Sequence, residues 1–156
     1  MRRWIDIWYL MILGMSLGMV VALGAIVAPV VFHADHYSGV ALSHYQMGLV
    51  MTEIFVRAGY WLNVVALLII LREAYDYKRF LRDRIIVPAA GTAVLMIFLF
   101  TLYYTKAIIA YQAKGASVVE DPKFAALHKA SELDFGLLAL SLALLLGRRL
   151  YLCMKG

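Results

Sequence analysis

Four histidines carry the clearest chemical signal in this chain. His33 and His36 are three residues apart, and His128 lies four residues before Glu132, so each pair shares one face of a helix. Imidazole and carboxylate groups together suit copper, zinc or iron, and two imidazoles facing each other across a bundle suit haem b. We therefore predict a metal site formed by His33, His36, His44, His128 and Glu132, or a cofactor site formed by His33, His36 and His128. The alternative is that these histidines only cap helices and form hydrogen bonds at a membrane surface.

Arg57 and Asp134 form a second pair of interest, because ionisable groups at membrane depth are costly. We interpret them as a structural intramembrane ion pair. The sequence contains no phosphate-binding glycine loop, nucleophile elbow or zinc-protease motif. It therefore favours a protein without catalytic activity.

The composition is that of an integral membrane protein. The 156 residues are 64% hydrophobic and 16% charged, and the mean hydropathy is +0.81, whereas soluble domains are about 45–50% apolar and about 25% charged. The net charge of +5 does not indicate nucleic-acid binding, because the basic residues flank the apolar segments, where they anchor helices in a bilayer.

Four apolar segments predict four transmembrane helices within one domain that covers residues 1–156. Asp121 and Pro122 are typical of a helix N-cap followed by the first helical residue, and the last helix extends to about Met154. Short connections make consecutive helices neighbours. The sequence thus predicts an all-α, integral membrane, antiparallel four-helix bundle surrounded by the lipid bilayer, with spans at 7–32, 54–71, 85–104 and 133–150.

The distribution of Lys and Arg predicts the orientation. The N-terminus, the 72–84 connection and the tail after Gly147 contain ten of these residues, and the connections on the other side contain four. Because basic residues accumulate on the cytoplasmic side, we predict a protein of the cell (inner) membrane with both termini cytoplasmic. All four histidines would then lie on the outer side.

The first span also contains a stripe of small residues, Gly14, Gly18, Ala22 and Ala25. Small residues at this spacing allow close approach of another helix. If the stripe packs inside the bundle, it places His33 and His36 on the packed side of the helix. If it faces outward, the protein would be a structural or accessory subunit of a larger membrane complex, or a homo-oligomer, without a cofactor. A small transporter is a weaker alternative, since the spans lack broken helices and a deep polar path.

Three short segments carry a resemblance to a known family: residues 28–32 (Ala-Pro-Val-Val-Phe), residues 60–61 (Tyr-Trp) and residues 127–131 (Leu-His-Lys-Ala-Ser). The chain resembles the small four-span membrane proteins of unknown function whose eukaryotic relative is linked to cisplatin resistance. This resemblance implies four helices and no established enzyme activity. The family's late histidine and serine would correspond to His128 and Ser131. The family pattern does not account for His33 and His36.

Overall fold

The computed structural model describes residues 2–39, 41–79 and 83–155, which contain helices and no strand. Four of the helical segments are long and apolar enough to cross a membrane. We number five helices, of which α2 is short. They are α1 (Arg2–Ala22, continued by a π-helical turn Leu23–Val27 and by Ala28–Phe32), α2 (Ala34–Ser38), α3 (His44–Lys78), α4 (Ile86–Phe98, continued by a π-helical turn Leu99–Tyr104 and by Thr105–Gln112) and α5 (Pro122–Lys155), with a 3₁₀ helix at Ala116–Glu120.

The four long helices form an antiparallel bundle. Helix α3 packs against α4, α4 against α5, and α5 against α1, while the C-terminal part of α1 closes the bundle against α3. The sequence-based prediction of an all-α four-helix bundle is confirmed. Burial of apolar side chains stabilises the half of the bundle nearest the termini, where Leu13, Leu62, Val65, Leu142 and Leu145 are fully buried.

Helices α3 and α4 are longer than the predicted spans. Ser43 and Gln46 form a capping box that starts α3 at His44: the Ser43 hydroxyl accepts the Gln46 N–H, and the Gln46 side chain accepts the Ser43 N–H. Helix α4 continues to Gln112. The predicted connections 33–53 and 105–121 are therefore largely helical. The predicted start of the last helix at Pro122 is confirmed, with Asp121 accepting a backbone N–H from the first turn.

The π-helical turns lie in the halves of α1 and α4 farther from the termini. In α1 the turn ends two residues before Pro29 and contains Ala25, with whose carbonyl group the ring of Pro29 would clash in a regular helix. In α4 the Thr105 hydroxyl donates to the carbonyl oxygen of Phe100 over 2.8 Å. Such turns are rare and often mark functional sites. Their position favours a functional site at the end of the bundle at which α1 and α4 end.

The opposite end, which contains both termini, is held by a network of ion pairs. Arg72 on α3 donates to Asp6 on α1 over 2.6 Å and to Asp76 over 2.5 Å. Arg149 on α5 donates to Asp76 over 2.7 Å and to Glu73 over 2.6 Å. Asp76 is only 3% exposed. Three helices are thereby joined through five charged side chains, which we call the ion-pair network.

Tyr9 occupies the centre of the ion-pair network. Its hydroxyl donates to Glu73 over 3.0 Å. The guanidinium carbons of Arg72 and Arg149 lie 5.9 and 5.8 Å from the centre of its ring. Both cations thus lie within the distance at which an aromatic ring attracts them, and the buried ring fixes their positions.

Asp83, which lies just before α4, forms an ion pair with Arg148 of the last helix. One of its oxygens accepts from Arg148 over 2.8 Å, and the other accepts from the backbone N–H groups of Ile85 and Ile86. The hydrogen bond from Arg148, followed by those from the backbone, lowers the pKa of Asp83 to about 2. The carboxylate is therefore charged at neutral pH.

The ion-pair network predicts a large difference between two arginine substitutions. Arg149→Met leaves Asp76 and Glu73 buried with fewer cations, so we expect a loss of ~3 kcal/mol and a clearly lower midpoint of thermal unfolding in detergent. Arg57→Met is the control, because Arg57 and its partner Glu53 are 77% and 58% exposed and such pairs contribute about 0–1 kcal/mol. Equal shifts of the two midpoints would contradict the structural role of the network.

Candidate functional site

A cavity of about 180 Å³ lies within the bundle at the end opposite the termini. All four long helices contribute to its wall, and the 3₁₀ helix contributes Val119. The wall is mainly apolar, with a few hydrogen-bonding side chains. Its aromatic side chains are Phe32, Phe55, Phe100 and Phe124, and its polar ones include His44, Tyr45, Thr52, Thr105, Gln112, His128 and Ser131.

Three phenylalanines pack together beside the cavity: Phe55 and Phe100 line it, and Phe135 packs against both of them. The ring centres of Phe55 and Phe100 are 5.2 Å apart, those of Phe55 and Phe135 are 5.2 Å apart, and those of Phe100 and Phe135 are 4.7 Å apart. Both π-helical turns meet this cluster: Phe100 belongs to the turn in α4, and Gly24 in the turn of α1 lies against the Phe135 ring. The turn in α4 thus contributes Phe100 directly to the cavity wall, and the turn in α1 supports that wall through Phe135.

Hydrogen bonds join α3 and α4 beside the cavity. The Tyr45 hydroxyl donates to the carbonyl oxygen of Gln112 over 2.7 Å. The side-chain amide of Gln112 donates to the Thr52 hydroxyl over 3.0 Å. Gln112 is only 6% exposed. Buried polar groups that are paired in this way hold a wall in one conformation, so the cavity is largely preformed.

The structure does not assemble the predicted metal or haem ligands. His33 and His36 are exposed and their ring centres are 6.2 Å apart. The Nδ1–H group of His33 donates to the carbonyl oxygen of Pro29 over 2.7 Å, since a carbonyl can only accept. Within residues 2–39, 41–79 and 83–155, no group of three or more His, Cys, Asp or Glu side chains could hold a metal ion. The metal and haem hypotheses are therefore not supported.

The other two histidines, His44 and His128, lie on the wall of the cavity, apart from that pair. The rings of His44 and His128 lie 5.2 and 6.4 Å from the ring of Phe32. The common neighbour of the two imidazoles is therefore an apolar ring. His128 Nε2 lies 3.3 Å from a Glu132 oxygen, as the four-residue spacing predicts. That spacing predicts neighbours on one helix, and it does not determine which way the helix faces.

Arg57 and Asp134 have different environments. Arg57 pairs with Glu53, one turn earlier on α3, over 2.8 Å, rather than with Asp134. Asp134 is 4% exposed, and its buried Oδ2 atom has no hydrogen-bond partner among the described residues. The sequence identified Asp134 as unusual, but it assigned the wrong environment to Arg57, which lies on an outward face of its helix.

The stripe of small residues is only partly packed. Gly14 lies beside Leu146 of α5, whereas a Cβ atom on Gly18 would meet no atom within 4 Å. Ala22 is half-buried and Ala25 is exposed. The expected placement of His33 and His36 on the packed side is therefore incorrect. Larger residues occupy the buried face of α1, namely Leu13, Ser16, Val20 and Leu23.

The sequence analysis missed most of the cavity wall. Gln112 fell in a segment predicted to be a connection, and the phenylalanines were not considered together. A usable signal was present: Phe32, Phe55 and Phe100 lie near the outer ends of the predicted spans, and Phe124 lies in the first turn of the predicted last helix, just after Pro122. In an antiparallel bundle these ends meet.

Comparison with known proteins gives a family without a known activity. A family described as a domain of unknown function, DUF4149, matches residues 11–117. The match covers α3, α4 and most of α1, and ends before α5. No curated protein and no solved structure matches the chain, and nothing in these comparisons connects it with cisplatin resistance. Since the match covers well over half of the chain, this four-helix membrane protein belongs to the DUF4149 family.

Proposed function

We propose that this protein binds a small, largely apolar molecule in the cavity at the end of the bundle opposite the termini. The observation that carries the proposal is the cavity itself, which is walled by all four long helices. Ligand sites are typically concave and apolar, with a few polar groups that orient the ligand. In helix bundles such sites lie between facing helices.

Packing in the rest of the bundle favours binding over transport. Between the cluster of Phe55, Phe100 and Phe135 and the termini, the core consists of side chains with no exposed surface. They include Leu62, Val65, Leu138, Leu142 and Leu145. Close-packed side chains leave no room for a passing solute. A transporter would need this half of the bundle to open, so transport is the weaker proposal.

The Met51 methyl group provides a direct test, because Met51 lines the cavity and is 3% exposed. We expect neopentylbenzene, a neutral aromatic probe, to shift the Met51 methyl resonance of ¹³C-methyl-methionine protein in a neutral detergent. Gly48→Leu should reduce this shift at least ~10-fold at fixed probe concentration, because it adds a side chain to the wall of a cavity that holds only a small molecule.

Two controls distinguish the cavity from the micelle. Met15 is 61% exposed and lies within the first membrane-spanning helix, so its methyl group reports probe dissolved in detergent. Gly136→Leu makes the same substitution on α5 at a glycine outside the cavity wall, where an added Cβ meets nothing within 4 Å, and should leave the Met51 shift unchanged. Equal shifts of Met51 and Met15, or an unaffected Gly48→Leu variant, would refute the proposal.

We also propose that the termini are cytoplasmic and that the cavity lies on the outer side of the cell membrane. The ion-pair network supports the placement of both termini on the same side of the membrane, because it joins the ends of α1, α3 and α5 that lie nearest the termini. The excess of Lys and Arg in those segments supports their assignment to the cytoplasmic side.

Cys153 allows the orientation to be tested, because it is exposed and is the single cysteine of the chain. We expect a membrane-impermeant maleimide to label Cys153 in inverted vesicles and not in intact spheroplasts. The matched control is Cys153→Ser combined with Ser117→Cys in the exposed 3₁₀ helix, which should show the reverse pattern. Labelling of Cys153 in intact spheroplasts would reverse the proposed orientation.

A second candidate is a role as an accessory subunit that contacts another transmembrane helix. The outward-facing part of the small-residue stripe, Gly18 and Ala25, favours it. Gly18→Leu should leave folding unchanged, since the site is open, and should remove any stoichiometric partner or second copy found by cross-linking in native membranes. Gly91→Leu, at another open glycine, should not. Retention of the partner in Gly18→Leu would exclude this face as the contact.

A further inference from the structure

One ion pair of the bundle faces outward from a predicted membrane span. Arg57 lies within the span at 54–71, and its side chain is 77% exposed. It is the only exposed charged side chain that the structure describes in the four predicted spans, since Asp134 is buried and Arg148 and Arg149 are largely covered. A charge at membrane depth is costly unless another group compensates it. The exposure of Arg57 is therefore a cost that packing within one copy of the chain does not remove.

Glu53 compensates this charge only in part. One Glu53 oxygen accepts from the Nε–H group of Arg57 over 2.8 Å, and the Glu53 side chain is itself 58% exposed. The two terminal nitrogens of Arg57 and the second oxygen of Glu53 have no partner among the described residues. Guanidinium and carboxylate groups pair most strongly through two parallel hydrogen bonds. Free donors and a free acceptor thus remain side by side on the outward face of α3.

The same face of α3 carries a continuous stripe of exposed side chains. Helix α3 is regular along its whole length, so residues three and four apart stay on one face. The members of the stripe are at least 49% exposed: Val50, Glu53, Arg57, Tyr60, Val64, Leu67 and Leu71. Alternating steps of three and four residues are typical of a seam between two parallel helices. The apolar members would suit lipid equally well, so the charged pair decides what covers the stripe.

We propose that two copies of this protein pair through this stripe, with Arg57 of each copy bound to Glu53 of the other. Copies that are inserted in the same direction are related by a two-fold axis along the membrane normal, so equivalent residues meet at the same depth. Because Arg57 already reaches back to Glu53 within one copy, the four charged groups lie at one level. The free nitrogens of each Arg57 then meet the free Glu53 oxygen of the other copy.

Charge complementarity favours a second copy over other occupants of this face. An anionic lipid headgroup would pair with Arg57 but would be repelled by Glu53, whereas a second copy satisfies both. The contact also differs from that of the accessory-subunit candidate, which uses Gly18 and Ala25 on α1. It does not depend on the proposed binding function.

Reversal of each charge tests the proposal. Glu53→Arg leaves two cations at this level and Arg57→Glu leaves two anions, so each variant should repel a second copy of itself. Both positions are exposed, so neither change should disturb the bundle. In native membranes we expect each variant alone to form at least ~10-fold less dimer than the wild type. Co-expressed copies of the two variants should pair with each other at the wild-type level, because their charges are complementary.

The dimer is measured as a disulfide at Tyr60→Cys, with Cys153→Ser removing the natural cysteine. Tyr60 follows Arg57 in the stripe and is 71% exposed. Leu137→Cys is the matched control, because Leu137 is 50% exposed on α5 and lies as many residues from Arg149 as Tyr60 lies from Arg72. This control should give no disulfide between copies.

Two differently tagged wild-type copies must also co-purify, a result that requires no substitution. Gly18→Leu should leave the dimer intact, since Gly18 lies on another helix, and loss of the dimer in this variant would move the contact to α1. Wild-type copies that do not co-purify, undiminished dimer in either charge-reversal variant, or failure of the two variants to pair with each other would each overturn the proposal.

Discussion

The pairing of buried charges at one end of the bundle is the constraint on which the structure depends. Arg72 and Arg149 come from different helices and share Asp76, and the ring of Tyr9 from a third helix lies close to both guanidinium groups. Removing one partner would leave the others with an uncompensated charge in a poorly hydrated place. The network therefore specifies which helix ends lie next to each other. Apolar packing alone would be less specific, because most apolar side chains can pack against one another.

Fixing one end allows the other end to remain open. Near the termini, ion pairs and fully buried leucines define the helix positions. Farther away, the helices separate around a cavity that is bordered by the hydrogen bonds of Gln112 and by the cluster of Phe55, Phe100 and Phe135. An apolar cavity and an unpaired carboxylate both cost stability. The ion-pair network and the packed half of the bundle offset that cost.

The sequence predicted the fold well because hydropathy and helix ends have local signals. The start of α5 at Pro122 and the four apolar segments needed no tertiary information. The site was predicted poorly because it depends on helix rotation. The stripe from Gly14 to His33 assumes one uninterrupted helical period, whereas the π-helical turn Leu23–Val27 changes that period. Residues on either side of the turn thus face differently from what their spacing indicates.

Likewise, Lys and Arg counts predicted an orientation without revealing the pairing of the same residues. Arg72 and Arg149 were treated as surface anchors, but their side chains are 12% and 14% exposed and lie between acidic residues. Arg72 has one near partner, Asp76, but the other pairs are far apart in the sequence: Arg72 with Asp6 on α1, and Arg149 with Glu73 and Asp76 on α3. Such pairing becomes visible only when the helix order and rotation are known.

The π-helical turn in α4 also restricts how the chain length of this helix can vary. A π-helical turn accommodates one residue more than a regular helical turn. Deleting one residue within Leu99–Tyr104 would thus restore a regular helix and leave the following segment in the same orientation, with Gln112 still facing Thr52. Deleting one residue from the regular part between this turn and Gln112 would instead rotate the segment that follows by about 100°. In this family, an alignment gap inside α4 would thus be neutral at the π-helical turn and would signify a different cavity elsewhere.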